Sequence, residues 1–215
     1  MSEPAKNNKK GLLVVISGFS GAGKGTLIRL LMKNYAQYSL SVSATTRKPR
    51  EGELEGRDYF FVDEPAFLDM IDRDALLEYA RYVDHYYGTP KSYVMSEIEK
   101  GRDVILEIET QGALKIKAKF PDSVLIFVAP PGAEELRTRL RNRGTESEEV
   151  IAKRLQKASL EIDSAEGYDY VLINDDLQES AAQLHELIQN QHMRVDQQIA
   201  FLEAFRRDLN RINKE

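Results

Sequence analysis

With 215 residues, 42% of them apolar, the chain is long enough for one substantial core with small insertions. A net charge of −5 gives no overall basic field for nucleic acid, and the absence of cysteine excludes disulfides and thiolate metal sites. Lack of cysteine also fits a cytoplasmic location.

Residues 1–10, MSEPAKNNKK, read as a flexible polar tail. The apolar run behind it, Leu12–Ile16, is too short for a signal-peptide core or a membrane span, so no membrane contact is expected. Leu12–Ser17 reads instead as a buried strand, because its apolar residues are continuous rather than alternating. Directly after it stands GFSGAGKGT: Gly18, Phe19, Ser20, Gly21, Ala22, Gly23, Lys24, Gly25 and Thr26. A strand entering a glycine-rich turn and then a helix, expected over Lys24–Tyr35, is an anion site. The glycines let backbone N–H groups surround phosphates, the helix start adds positive potential, and Lys24 reaches the β- and γ-phosphates. The pattern calls for Ser or Thr after the lysine to touch magnesium. Gly25 stands there, so the sequence assigns no protein ligand to the metal.

A further strand is expected at Leu40–Ala44, followed by a small β-rich insertion over 46–90 that carries Gly52, Gly56 and Tyr59-Phe60-Phe61. Asp103–Glu109, Ser123–Ala129 and Tyr168–Asn174 read as buried strands, and Thr110–Lys119, Ala133–Arg141 and Ser147–Glu166 as helices. In the last helix Val150, Ile151, Leu155, Ala158 and Ile162 form an apolar stripe. Strands alternating with helices imply a parallel sheet covered on both faces. Residues 134–154 concentrate Arg137, Arg139, Arg141, Arg143, Lys153 and Arg154, either a solvated face or an anion contact. From Leu177 onward one long helical pattern runs without Gly or Pro. Ile188, Val195, Leu202 and Leu209 recur every seventh residue, with Ile199, Phe205 and Ile212 beside them. That spacing suits packing along another helix, either of the same chain or of a second copy associating through the C-terminal helix. His85, His185 and His192 are expected as surface or packing residues.

The blocks SVSATTRKPREGELEGRDYFFV (41–62), LLEYARYVDHYYGT (76–89), LEIETQGA, RLRNRGTESEEVIAKRL and YDYVLINDDL, with the loop, strongly resemble guanylate kinase over roughly residues 11–190. The resemblance implies a three-layer α/β P-loop kinase with a parallel central sheet, a GMP-binding insertion at 46–90, a short lid at 134–154 and a helical extension at 191–215. It implies phosphorylation of GMP, and of dGMP, by ATP with magnesium, in purine nucleotide metabolism. By position in the family motif, Glu78 accepts from guanine's donors, while Ser43 and Thr89 donate to its carbonyl. Arg47, Arg50, Tyr59 and Tyr87 match the clamp on GMP's phosphate, and Arg139, Arg143 and Arg154 the lid over ATP. Arg47 is also counted with Lys24 and the lid arginines as catalytic, and Glu107 with the substrate contacts. A rival within the resemblance is a catalytically inactive module that grips phosphopeptides, but such modules typically lose the loop lysine, and Lys24 is kept. The chain departs from the family at Gly25, where Ser or Thr is usual; at Glu107 and Glu109, where the strand end usually reads Asp-x-Asp; and at Phe19, where proline is frequent.

Overall fold

The computed structural model describes residues 10–82, 84–142 and 147–214, with the side chain of residue 82 left aside. The chain opens with β1 (Leu13–Gly18), α1 (Lys24–Asn34) and β2 (Tyr38–Leu40). It then crosses to a second sheet through β3 (Ala44–Thr45), β4 (Phe60–Phe61), α2 (Glu64–Asp72), β5 (Leu76–Tyr82) and β6 (His85–Pro90). After α3 (Lys91–Glu99) it returns through β7 (Asp103–Glu107), α4 (Thr110–Lys119) and β8 (Val124–Ala129). The rest comprises α5 (Ala133–Asn142), α6 (Glu148–Ser164), β9 (Tyr170–Ile173), α7 (Leu177–Gln191) and α8 (Ile199–Ile212).

The central sheet has the order β2-β7-β1-β8-β9, and every pairing in it is parallel. β1 lies in its middle and is buried along its whole length. Alternate residues serve opposite faces, as the pleat requires. Val14 and Ile16 pack with Leu27, Ile28 and Leu31 of α1 and Ala181, Leu184 and Ile188 of α7. Leu13 and Val15 pack with Val94 of α3 and Ala113 and Ile116 of α4. Helices therefore cover both faces, giving the expected three-layer α/β architecture. Each fully buried Val, Leu or Ile among these stabilises the fold by about 1.5–3 kcal/mol relative to exposure.

The smaller sheet runs β4-β3-β6-β5 and mixes parallel and antiparallel pairs. α2 closes it through the buried Phe67, and begins where the Asp63 side chain accepts the Ala66 N–H at 2.8 Å.

Five expectations need correction. Leu40–Ala44 is not one strand: Tyr38–Leu40 belongs to the central sheet and Ala44–Thr45 to the smaller one, so the chain changes sheets within that run. The strand expected to reach Glu109 ends at Glu107. β9 is an edge strand, and only its Leu172 is buried, because among the described residues no further strand lies on that side. On α6, Ile151 and Ala158 face inward as expected, but Val150 and Ile162 are exposed and Glu161 takes the next inward position. The C-terminal pattern is two helices, not one. His192 caps α7 and pairs with the buried Asp103 through Nε2 at 2.8 Å, its carbonyl accepts from Gln198, and the backbone turns extended at Arg194 before α8. Ile188 consequently lies in the core, whereas Val195, Leu202 and Leu209 are exposed and no residue of α8 is buried. His185 stacks on Tyr35 at 3.6 Å, a packing role as expected.

Candidate active site

The loop between β1 and α1 is shaped by what its glycines avoid. Gly18 has φ +135°, and a Cβ there would sit 2.0 Å from the carbonyl oxygen of Val128. Gly23 has φ +88°, with Asn174 Nδ2 only 2.6 Å from the place of its missing Cβ. That same amide donates to the Ala22 carbonyl at 2.7 Å, so the end of β9 braces the loop from behind. Two loop side chains point inward: Ala22 is fully buried, and Phe19 packs edge-on against Phe127 at 5.0 Å. Gly18, Ser20, Gly21, Gly23, Lys24, Gly25 and Thr26 line a cavity of about 590 Å³. Lys24 Nζ donates to the Gly18 and Phe19 carbonyls at 2.8 and 3.0 Å, which holds the ammonium inside the loop. Burial pushes its pKa below the usual lysine value, and the charges of Glu107 and Glu109 act against that.

The second cavity, of about 850 Å³, lies between the two sheets. The smaller sheet and its loops supply Ser43, Arg47, Arg50, Glu53, Tyr59, Glu78 and Tyr87 to its lining, and the first turn of α4 supplies Thr110, Gln111 and Gly112. Glu78 Oε1 accepts the Thr89 hydroxyl at 2.8 Å, and Oε2 lies 3.7 Å from the Cβ position of Gly112. Burial raises the Glu78 pKa, opposed by the Thr89 hydrogen bond. The carboxylate stands at the start of α4, where the helix dipole favours negative charge. This hydrogen bond lets Thr89 orient the Glu78 carboxylate. Arg47 Nη2 donates to Glu53 Oε1 at 2.8 Å, and its guanidinium lies 5.3 Å from the centre of the Tyr59 ring. Tyr59 in turn meets Tyr87 edge-on at 6.0 Å. Glu53 Oε2 also accepts the Arg50 backbone N–H at 2.7 Å, and these bonds hold its carboxyl below the usual range, the Arg47 bond foremost.

The two cavities are not separate. Tyr59, Glu107, Ile108, Glu109 and Glu161 line both. A ligand entering from the loop side and another from the sheet side would therefore meet along this wall. Glu109 accepts from Lys157 Nζ at 2.6 Å, whereas Glu107 Oε2 lies 3.5 Å from the Cβ position of Gly25. Among the described residues no group of three or more acidic, histidine or cysteine side chains forms a metal cage. Hard oxygen donors are nevertheless at the loop, in the Glu107 carboxylate and the Thr26 hydroxyl. This sparse set fits a magnesium ion that brings nucleotide oxygens and water as its main ligands.

The family model for guanylate kinase matches residues 10–191. The chain belongs to the guanylate kinase family. A guanylate kinase of Caldanaerobacter subterraneus subsp. tengcongensis is 52% identical over 188 residues, covering 87% of this chain and 91% of that one. One from Clostridioides difficile is 48% identical over 202 residues, covering 94% and 98%. Among solved structures, a guanylate kinase from Anaplasma phagocytophilum is 34% identical with a TM-score of 0.66, covering 86% of this chain and 88% of that one.

Within this family member the residues singled out from sequence fall into three groups. Those of the loop and those of the insertion line the two cavities, apart from Phe19, Ala22 and Thr89, which support them from behind. Arg139 and Arg154 line neither, but both bond to the loop's surroundings: Arg139 Nη1 donates to the Asn174 carbonyl at 2.8 Å, and Arg154 donates to the Ser20 hydroxyl. Arg143 lies outside the described residues. Sequence reasoning missed Glu53, Lys157, Glu161 and Asn174. Glu53 lies three residues from Arg50 and six from Arg47 in a polar stretch, a weak signal that was available. The other three act across long sequence separations, which no local pattern displays.

Proposed function

We propose that this protein transfers the γ-phosphoryl group of ATP to GMP, and to dGMP, giving ADP and the corresponding guanosine diphosphate in purine nucleotide metabolism. The observation that carries the reading is the shared wall of Tyr59, Glu107, Ile108, Glu109 and Glu161 between the loop cavity and the Glu78 cavity. Two bound phosphate chains would face each other there. On this reading the loop and Lys24 hold the donor phosphates. Arg47, Arg50, Tyr59 and Tyr87 hold the acceptor phosphate, suited to it by planar guanidinium forks and phenolic O–H donors. Glu78, oriented by Thr89, accepts from guanine N1–H and the 2-amino group, and Ser43 donates to the carbonyl at position 6.

GMP's phosphate has a second pKa of about 6, so it arrives largely as a dianion and needs no general base. What the protein supplies is the approach of two repelling anions and neutralisation of the charge that spreads in transfer. Arg139, Arg143 and Arg154 would add cations from the lid over 134–154, and closure of lid and insertion would exclude water. Magnesium, when bound, would neutralise charge on the β- and γ-phosphates. Glu107, facing Gly25, would orient its waters where other P-loops place a hydroxyl. The catalytic unit is read as residues 11–190, with 1–10 a tail and 191–215 an extension. The absence of cysteine supports a cytoplasmic setting for the reaction. Association of two copies through α8 is a separate reading, supported by its exposed stripe of Ile199, Leu202, Phe205, Leu209 and Ile212.

The test is product analysis with ATP, GMP and magnesium. ADP and GDP are expected in equal amounts. ADP without GDP, or no turnover, contradicts the reading.

A further inference from the structure

One face of α6 forms a wall of the acceptor cavity. Lys157, Leu160, Glu161 and Ser164, at helical spacing, all line it. Lys157 is the cation of this wall, and it sits at the end where the cavities join. Its Nζ donates to Glu109 Oε2 at 2.6 Å and lies 3.3 Å from Glu161 Oε1. Both of those carboxylates line both cavities.

The two partners differ in kind. The Glu161 side chain is 7% exposed and fixed on the inward stripe of α6, and its Oε2 makes no hydrogen bond among the described residues. A buried carboxylate is costly unless a cation answers it, and Lys157 is that cation. The Glu109 side chain is 76% exposed, just past β7, so its pairing with lysine is the easily replaced one. Lysine is a point charge on a flexible stem and can exchange one anionic partner for another without the helix moving. Arg47 reaches the same junction from the smaller sheet, against Tyr59, which also lines both cavities.

We propose that Lys157 is a further catalytic residue, exchanging Glu109 for the phosphate oxygens of the acceptor where the two phosphate chains meet, with Glu161 the positioning residue that holds it there. This rests on the phosphoryl-transfer reading above. Lys157 then supplies from α6 what Arg47 supplies from the smaller sheet, a positive charge beside the acceptor phosphate. Burial of Glu161 keeps the ammonium at the junction in both states, while Glu109 serves as its partner in the nucleotide-free protein.

The experiment is calorimetric binding of a bisubstrate analogue, adenosine and guanosine joined by five phosphates, alongside ATP alone and steady-state turnover. Wild type, Lys157→Ala, Lys157→Arg, Glu161→Gln and the Lys157→Ala/Glu161→Gln pair are compared. Lys157→Ala is expected to weaken the analogue roughly tenfold or more, the scale of a hydrogen bond to a charged group, and to lower kcat. ATP affinity should stay at its wild-type value, whereas the melting temperature should fall, because the buried Glu161 loses its cation, and should recover in the Lys157→Ala/Glu161→Gln pair. Lys157→Arg should restore most of the loss. Glu161→Gln should weaken the analogue less, and should add nothing in the Lys157→Ala background. Unchanged analogue affinity in folded Lys157→Ala, or a full additional loss in the double variant, overturns this inference alone. Failure of the wild type to bind the analogue and form GDP overturns the transfer reading, and this inference with it.

Discussion

On the proposed reading, the donor loop and the acceptor sheet would hold anions by different means. At the loop, backbone shape dominates: three of its glycines have positive φ, and Phe19 and Ala22 are turned into the core. Lys24 is the one basic side chain within it, held by two carbonyls of the loop itself. At the acceptor sheet the work falls to side chains from several elements, each tied by a carboxylate or hydroxyl: Arg47 by Glu53, Glu78 by Thr89. The loop should therefore fail as a unit, whereas the acceptor site should lose one property at a time.

The largest effect expected is that of Lys24→Ala. It should lower kcat and kcat/KM together by roughly a hundredfold or more, because the lost charge acts on the transition state. Circular dichroism should show an intact fold. Near-normal turnover in the folded variant would remove the loop from the chemistry.

Glu78→Gln should act on the acceptor alone. GMP binding is expected to weaken by about 1.5–3 kcal/mol, the worth of a charged hydrogen bond, with no comparable loss for AMP. Its effect on stability has the opposite sign. Burial raises the Glu78 pKa, so the folded protein holds a proton that the unfolded chain has released between the ordinary and the raised value. That contribution to stability is present at low pH and is lost as pH rises through the raised pKa. The glutamine variant should thus melt higher than wild type at neutral pH while binding GMP worse, which melting curves across pH would check.

Smaller changes are expected where the loop meets the metal. A Cβ on Gly25 would make only ordinary contacts, 3.5 Å from Arg29 Nη1 and from Glu107 Oε2. Gly25→Ser should be tolerated and tighten apparent magnesium affinity, and Glu107→Gln should weaken it, in a titration corrected for free ATP. No change in either variant would make Glu107 a structural residue. The smallest effect belongs to α8. Leu202→Glu with Leu209→Glu should leave turnover unchanged, since no residue of that helix is buried. If α8 joins two copies, light scattering should show a lower mass for this variant.

What was legible in the sequence followed local rules. The runs of β1, β7 and β8 are continuous because both faces are covered, and the loop is visible because strand, glycines and lysine are adjacent. β9 has the same kind of run, yet its place at the sheet edge depends on topology that its residues do not display. The break after Gln191 was hidden because nothing local causes it. His192 caps the helix and pairs with Asp103, 89 residues away, before the backbone becomes extended at Arg194. The inward turn of Glu161 was hidden for a similar reason: Ile162 beside it is the better core residue by type, but Ile151 and Ala158 set the face of α6, and Glu161 completes it. Acceptor residues such as Glu78 were reached through family resemblance rather than periodicity, since their chemistry depends on chain segments meeting across the smaller sheet.

The most direct test of the account compares GMP, dGMP, AMP, UMP and CMP as phosphoryl acceptors from ATP in one coupled assay with the wild-type protein. The site around Glu78 and Ser43 predicts that GMP and dGMP are phosphorylated with far higher kcat/KM than the other three. AMP or a pyrimidine nucleotide used as well as GMP would contradict it.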